Sequence, residues 1–155
     1  LGVPAGIGAP VFEKLDACLA RAIMSVGAVK AFEIGDGFQV SMAKGSANND
    51  PFVSENGKIT KKTIHAGGIL GGISDGSEII LRAYVKPTPS IFTSQETVNT
   101  SGENIRLQIK GRHDPVIVPR AVVVIESMAA LTLADAMISN MASRVSYLRD
   151  FYGKK

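Results

Sequence analysis

Apolar residues recur along this chain with two periods, and the switches between them mark out its elements. Over residues 10–26, Phe12, Leu15, Leu19, Ala22, Ile23 and Val26 return every three or four positions. That spacing gathers them on one side of a helix, with Glu13, Lys14, Asp16 and Arg21 falling largely elsewhere. Gly27 is placed to cap its end. Residues 29–34 alternate apolar and polar and predict a strand. Gly35-Asp36-Gly37 then signals a turn. Residues 38–42 read as a short strand or a helical turn. Residues 44–63 are polar and predict a long loop, with Asn56-Gly57 suited to a small hairpin over 53–59. Residues 68–73 and 78–85 read as two strands joined at 74–77, the second with Ile79, Leu81, Ala83 and Val85 on one face. Pro87 and Pro89 end it. Residues 92–104 form a polar connector, and 105–109 alternate as a further strand. The longest element is a helix over 119–141, with Pro119 near its start. Ala121, Val124, Ile125, Met128, Leu131, Ala134, Asp135 and Ile138 trace its stripe. It is apolar nearly all round, which predicts burial between layers. Residues 143–155 form a basic, amphipathic, surface-lying tail. Two long apolar helices with several antiparallel strands define the α+β class, helices packed with antiparallel sheets.

Composition narrows the picture. The 155 residues are 45% hydrophobic and 20% charged, the balance of a folded chain rather than a disordered one. There is no tryptophan and aromatics are 6%, so the core must be aliphatic. A net charge of +3 without a charged face or helix argues against nucleic-acid binding. The densest cluster, Lys58, Lys61 and Lys62, reads as a solvated loop. One cysteine, Cys18, allows no internal disulfide and no metal site. It reads as a buried, inert thiol, consistent with a reducing, cytoplasmic setting. Glu126 and Asp135 interrupt the apolar run 121–141 and argue against a membrane span. The chain opens on Leu1-Gly2-Val3-Pro4-Ala5-Gly6-Ile7-Gly8 rather than on methionine. It reads as a loop cut open, so that 1–155 would be the C-terminal part of a longer protein.

Three short runs carry candidate chemistry. Gly111-Arg112-His113-Asp114-Pro115 places a cation, an imidazole and a carboxylate on consecutive residues between a glycine and a proline. Arg112 offers a planar fork of donors to a phosphate, carboxylate or carbonyl, and Asp114 could accept a proton. A local Arg–Asp ion pair capping the next helix would use the same residues. Gly67-Gly68-Ile69-Leu70-Gly71-Gly72-Ile73-Ser74 lets a backbone approach a ligand closely, or marks tight strand packing. It is neither a phosphate-binding P-loop nor a dinucleotide fingerprint. Lys86-Pro87-Thr88-Pro89-Ser90 supplies a cation and two hydroxyls on a stiffened backbone, or simply a rigid turn after an edge strand.

In this order the three runs resemble the second half of chorismate synthase, over about residues 10–138. The resemblance implies a β-α-β sandwich of helices between antiparallel sheets, assembled as a homotetramer. It implies a phosphate lyase that makes chorismate from 5-enolpyruvylshikimate 3-phosphate, with reduced FMN as cofactor and NADP as a molecule associated with the family. The flavin is used reduced although the reaction has no net redox change. It assigns Ala47, Asn48, Gly71, Lys86, Pro87, Thr88, Pro89, Ser90 and Arg112 to FMN, and places Asp114 near the flavin N5 as the catalytic group. It implies no metal, nucleic acid or membrane partner. His113 is left a structural role, Arg120 a structural ion pair, and His65 none. The family's first half carries a Gly-Glu-Ser-His-Gly motif, two catalytic histidines and substrate arginines. None has a counterpart here, so the resemblance implies a flavin-facing half, inactive alone or serving as a folding or oligomerisation module when isolated.

Overall fold

The computed structural model describes residues 2–153. Lys154 and Lys155 of the expected tail, and Leu1 of the opening segment, lie outside them. The first helix is shorter than its periodicity predicts: a single 3-10 turn over Val11–Glu13 precedes α1, Leu15–Met24. Lys14 stands between them in an extended conformation that breaks the helix. Leu15, Leu19 and Ile23, at helical spacing, are fully buried. Burying each contributes roughly 1.5–3 kcal/mol.

β1 (Val29–Ile34) runs antiparallel to β6 (Leu81–Val85), with Phe32 opposite Ala83 and Ile34 opposite Leu81. Alternation sends Phe32 and Ile34 onto the core of Leu15, Leu19 and Ile69. The opposite face carries Glu33, Arg82 and Tyr84. The Tyr84 hydroxyl donates to Glu33 Oε2 at 2.5 Å, and the Phe38 amide to Oε1 at 3.1 Å. Both bonds hold the Glu33 carboxyl below its ordinary range, Tyr84 contributing most.

The remaining strands form hairpins of their own. β2 (Phe52–Glu55) and β3 (Lys58–Lys61) flank Asn56-Gly57 as the sequence predicts. The glycine block departs from expectation. Instead of one strand paired with 78–85 it makes β4 (Ile69–Leu70) and β5 (Ile73–Ser74), turning at Gly71-Gly72. Two consecutive glycines at positive φ, 59° and 89°, reverse the chain before a longer strand can form. β6 is thereby left to pair with β1. The 92–104 connector also departs: it contains β7 (Gln95–Val98), which pairs with β8 (Asn104–Leu107). Side-chain and backbone bonds around Asn99 close that turn, a local signal that its polar composition concealed. Residues 38–42 take the helical alternative, as a 3-10 segment.

α2 (Val118–Met141) has the predicted extent but not the predicted burial. Ala129, Leu133 and Ala136 reach the core, and none of its residues is fully buried. α1 covers one side; the rest of an all-round apolar helix faces outward. By length and mean hydropathy, 1.9, it could cross a membrane. α3 (Val145–Tyr152) follows with all its residues exposed. The whole chain exposes 11493 Å². A compact 16.3 kDa protein exposes about 7,500 Å² by mass scaling.

Two further expectations are corrected. Cys18 is half-buried rather than enclosed, because it sits at the rim of α1 beside Glu13. Partial burial, with the Glu13 carboxylate, pushes its thiol pKa up. Lys61 is not solvated: its side chain, 3% exposed, forms an ion pair with Asp75 and lies 5.5 Å from the Phe52 ring centroid. The β2–β3 hairpin folds it inward. Burial pushes Asp75 up, but bonds from Lys61 and Ser77 outweigh it and hold the carboxyl below its ordinary 3.8. The stability this adds is present above pH 3.8 and is lost as pH falls below it. Lys61→Met strands a buried carboxylate and should cost about 3 kcal/mol at neutral pH. Urea melts at pH 7 and pH 3 check this: the deficit should shrink in acid, and an equal deficit at both pH values would refute the pairing.

Candidate functional site

The candidate site starts where β6 ends. The Lys86 amide donates to the Ala28 carbonyl at 2.7 Å, anchoring the strand's exit. Pro87 and Pro89 then hold the backbone out of any ladder, and Gln95 Nε2 donates to the Pro89 carbonyl at 3.0 Å. This fixes the 86–90 run against the β7–β8 hairpin. The 111–115 turn follows β8 and leads into α2. A cavity of about 300 Å³ lies between the two segments. Thr88, Ser90, Ile91 and Phe92 line it from the first segment, and His113, Asp114 and Pro115 from the second.

Asp114 Oδ2 accepts from Arg120 Nη1 at 2.7 Å. The expected partner for a structural pair, Arg112, is not the one used; Arg120 reaches back from the first turn of α2. The pair is surface-open, with Arg120 77% and Asp114 46% exposed, so it orients the carboxylate more than it stabilises the fold. Lys86 and Arg112 are exposed and make no ion pair among the described residues. His113 stacks edge-to-face with Phe92, centroids 5.6 Å apart. Its Nε2 and the Thr88 Oγ1 are buried without a hydrogen-bond partner. Sequence reasoning left His113 aside, because a histidine between two charged residues carries no spacing signal of its own.

The other predicted residues stand apart from this cavity. Ala47 and Asn48 sit in a turn whose amides both donate to the Lys44 carbonyl, at 2.9 and 3.0 Å. Gly71 forms the tip of the β4–β5 hairpin, with open space where a side chain would project. The structure thus joins Thr88, Ser90 and Asp114, keeps Lys86, Pro87, Pro89 and Arg112 on the flanking segments, and leaves Ala47, Asn48 and Gly71 outside the cavity wall.

A junction the sequence did not reveal lies at Gly35. Asp36 donates its amide to the His65 carbonyl at 2.9 Å, and its Oδ2 lies 2.6 Å from His65 Nδ1. Asp50 accepts from the His65 and Ala66 amides and the Thr63 hydroxyl. Burial pushes the Asp50 carboxyl up, but these donors hold it below its ordinary value. Arg82 donates to the Gly35 carbonyl. Together these bonds fasten the polar 44–63 loop to the β1–β6 ladder. Among the described residues, no group of three or more metal-ligating side chains gathers.

Helices packed with small antiparallel sheets define an α+β protein, and the cavity between the 86–92 and 111–115 segments, with apolar walls and polar groups facing it, is its candidate site. The sequence model of the chorismate synthase family matches residues 1–138. A chorismate synthase of Lachnoclostridium phytofermentans is 67% identical over 154 residues, 99% of this chain and 42% of that protein. One from Archaeoglobus fulgidus is 58% identical over 137 residues, 88% of this chain and 38% of that protein. A crystal structure of chorismate synthase superposes with a TM-score of 0.72 at 32% identity, covering 92% of this chain and 36% of the other. The chain belongs to the chorismate synthase family. It spans about two fifths of the length of these relatives.

Proposed function

We propose that this chain builds the flavin-facing part of a chorismate synthase active site. There, phosphate and a ring proton leave 5-enolpyruvylshikimate 3-phosphate to give chorismate, with reduced FMN as cofactor. The observation that carries this reading is the meeting of two runs more than twenty residues apart in sequence. Thr88 and Ser90 share one cavity with Asp114. Family membership supports the reaction class.

The residues fit the cofactor. Ile91, Phe92 and Pro115 offer apolar walls to a flat ring, and the orphaned Thr88 hydroxyl offers it a hydrogen bond. Lys86 and Arg112, free of carboxylate partners among the described residues, suit its phosphate tail. Gly71, with open space at its α-carbon, and Ala47, through its backbone alone, reach the cofactor from flanking turns together with Asn48. Reduced FMN, when bound, supplies electron density to the conjugated system as phosphate departs. Asp114 holds or moves the proton at Oδ1, its Oδ2 being held by Arg120. Lys86 and Arg112 would favour the developing negative charge once the rest of the family fold covers this open site. Substrate arginines and histidines come from the rest of the family fold, which also covers the outward face of α2 in a cytoplasmic homotetramer.

A second reading applies to the chain in isolation: a non-catalytic folding or assembly module. The surface excess over a compact protein of its mass favours it. Flavin fluorescence separates the two. The chain, alone and grafted in place of the matching segment of the L. phytofermentans relative, is titrated with FMN, with and without 5-enolpyruvylshikimate 3-phosphate. The graft is expected to bind, and Lys86→Ala and Arg112→Ala each to weaken binding about tenfold, as loss of a charge-assisted bond does. Binding by the graft but not by the isolated chain, folded by circular dichroism and associated at micromolar concentration, assigns the module role to the isolated chain. Unchanged affinity in both variants of the graft would remove these cations from the site.

A further inference from the structure

Folded proteins rarely leave a buried polar side-chain atom without a hydrogen bond, since each one costs about 1–3 kcal/mol. Two such atoms occur among the described residues, Thr88 Oγ1 and His113 Nε2. They belong to different segments, one after β6 and one after β8, yet both residues line the same 300 Å³ cavity. Unrelated defects would have no reason to converge on one hollow. Given the flavin reading above, we infer that His113 is a cofactor-binding residue whose Nε2, together with Thr88 Oγ1, hydrogen-bonds the polar edge of the flavin ring.

The chemistry of the cavity selects a ring edge over a phosphate. The wall's one carboxylate, Asp114, is paired with Arg120, so the cavity lining offers an anion no unpaired cation. Ile91, Phe92 and Pro115 give apolar surface that a flat conjugated system would cover. Thr88 Oγ1 and an imidazole nitrogen can each donate or accept. They match a heteroaromatic edge on which carbonyls alternate with a ring N–H. The imidazole is also held in place. Phe92 meets it edge-on at 64°, and a side chain at Gly111 would lie 3.6 Å from Nε2. The Phe92 contact orients the imidazole before a ligand arrives, so less entropy is lost on binding.

A site residue kept at a cost to the empty protein leaves a signature that a structural residue does not. Thr88→Val swaps the orphaned hydroxyl for a methyl of the same shape. The graft's ligand-free Tm should stay level or rise, while FMN affinity should fall about tenfold. His113→Ala should weaken FMN by a similar factor and shift the flavin visible bands. His113→Gln, whose amide reaches near the Nε2 position, should keep affinity within about threefold of wild type. The double variant should lose less than the product of the singles, because both groups meet one ring edge. Wild-type affinity and an unshifted spectrum in His113→Ala would overturn the inference while the flavin reading stood. A lower ligand-free Tm with unchanged FMN affinity in both variants would make the two residues structural and overturn it as well. Failure of the unmutated graft to bind FMN would sink the flavin reading and this inference together.

Discussion

Asp114→Asn in the graft is expected to lower turnover of 5-enolpyruvylshikimate 3-phosphate by about 10²–10⁴-fold, the range for loss of a positioned proton-transfer group. FMN affinity should change less than about threefold. Asparagine keeps the shape of the side chain and an oxygen for the Arg120 bond at 2.7 Å. It cannot take a proton. The variant therefore separates holding the ligand from moving a proton, which Lys86→Ala and Arg112→Ala do not. Turnover is measured with saturating reduced FMN, so that any loss of cofactor affinity is excluded. A fall of less than tenfold would mean that the proton leaves by another route, and that the carboxylate only orients its neighbours.

The second large effect concerns the junction that ties the polar loop to the sheet. Gly35 has φ +58°, a left-handed conformation that costs a residue with a Cβ about 1–2 kcal/mol. That Cβ would lie 2.0 Å from the His65 carbonyl oxygen, 2.6 Å from the Gly67 nitrogen and 2.8 Å from the Ala66 carbonyl carbon. All three are main-chain atoms, so no side chain can rotate aside. Gly35→Ala should lose about 3 kcal/mol or more, combining the conformational cost with that of overpacking. Gly71→Ala is the control. Its φ is +59°, but nothing lies within 4 Å of the new atom, so only the conformational cost of about 1 kcal/mol applies. Urea denaturation of both variants measures the difference. A Gly35→Ala loss no greater than that of Gly71→Ala would mean that the two backbones are not in contact.

These two glycines show where sequence was and was not enough. Local patterns were readable where one element decides its own shape. The alternation of Val29–Ile34, the Asn56-Gly57 hairpin and the extent of Val118–Met141 all follow from neighbours in the chain. Pairing was not readable. Gly71-Gly72 permits a tight reversal, but nothing within 68–73 decides for it over one strand paired with 78–85, so β6 could not be seen to need β1. Burial failed for a related reason. An apolar helix predicts that a partner exists, not that the partner lies within the same 155 residues. Lys61 reads as solvated in the sequence because the hairpin that turns it inward brings it to Asp75, fourteen positions on. At the candidate site, motif order put Thr88, Ser90 and Asp114 together. His113 needed coordinates, because what marks it is the lack of a partner for a buried nitrogen.

The four ladders share no strand. One ladder can therefore open without breaking a ladder bond in another; the core between α1, β1 and β4, the Lys61–Asp75 pair and the junction at Gly35 are what link their fates. Two-stranded ladders are marginal on their own. Thermodynamically, the isolated chain is then a federation of small units with separate local free energies, the helical pair holding longest and the outlying hairpins opening first. The urea transitions of the Lys61 and Gly35 variants then report the unit that holds each substitution. Pairing those open edges with further strands would merge the units into one cooperative transition, with every residue of this sequence unchanged.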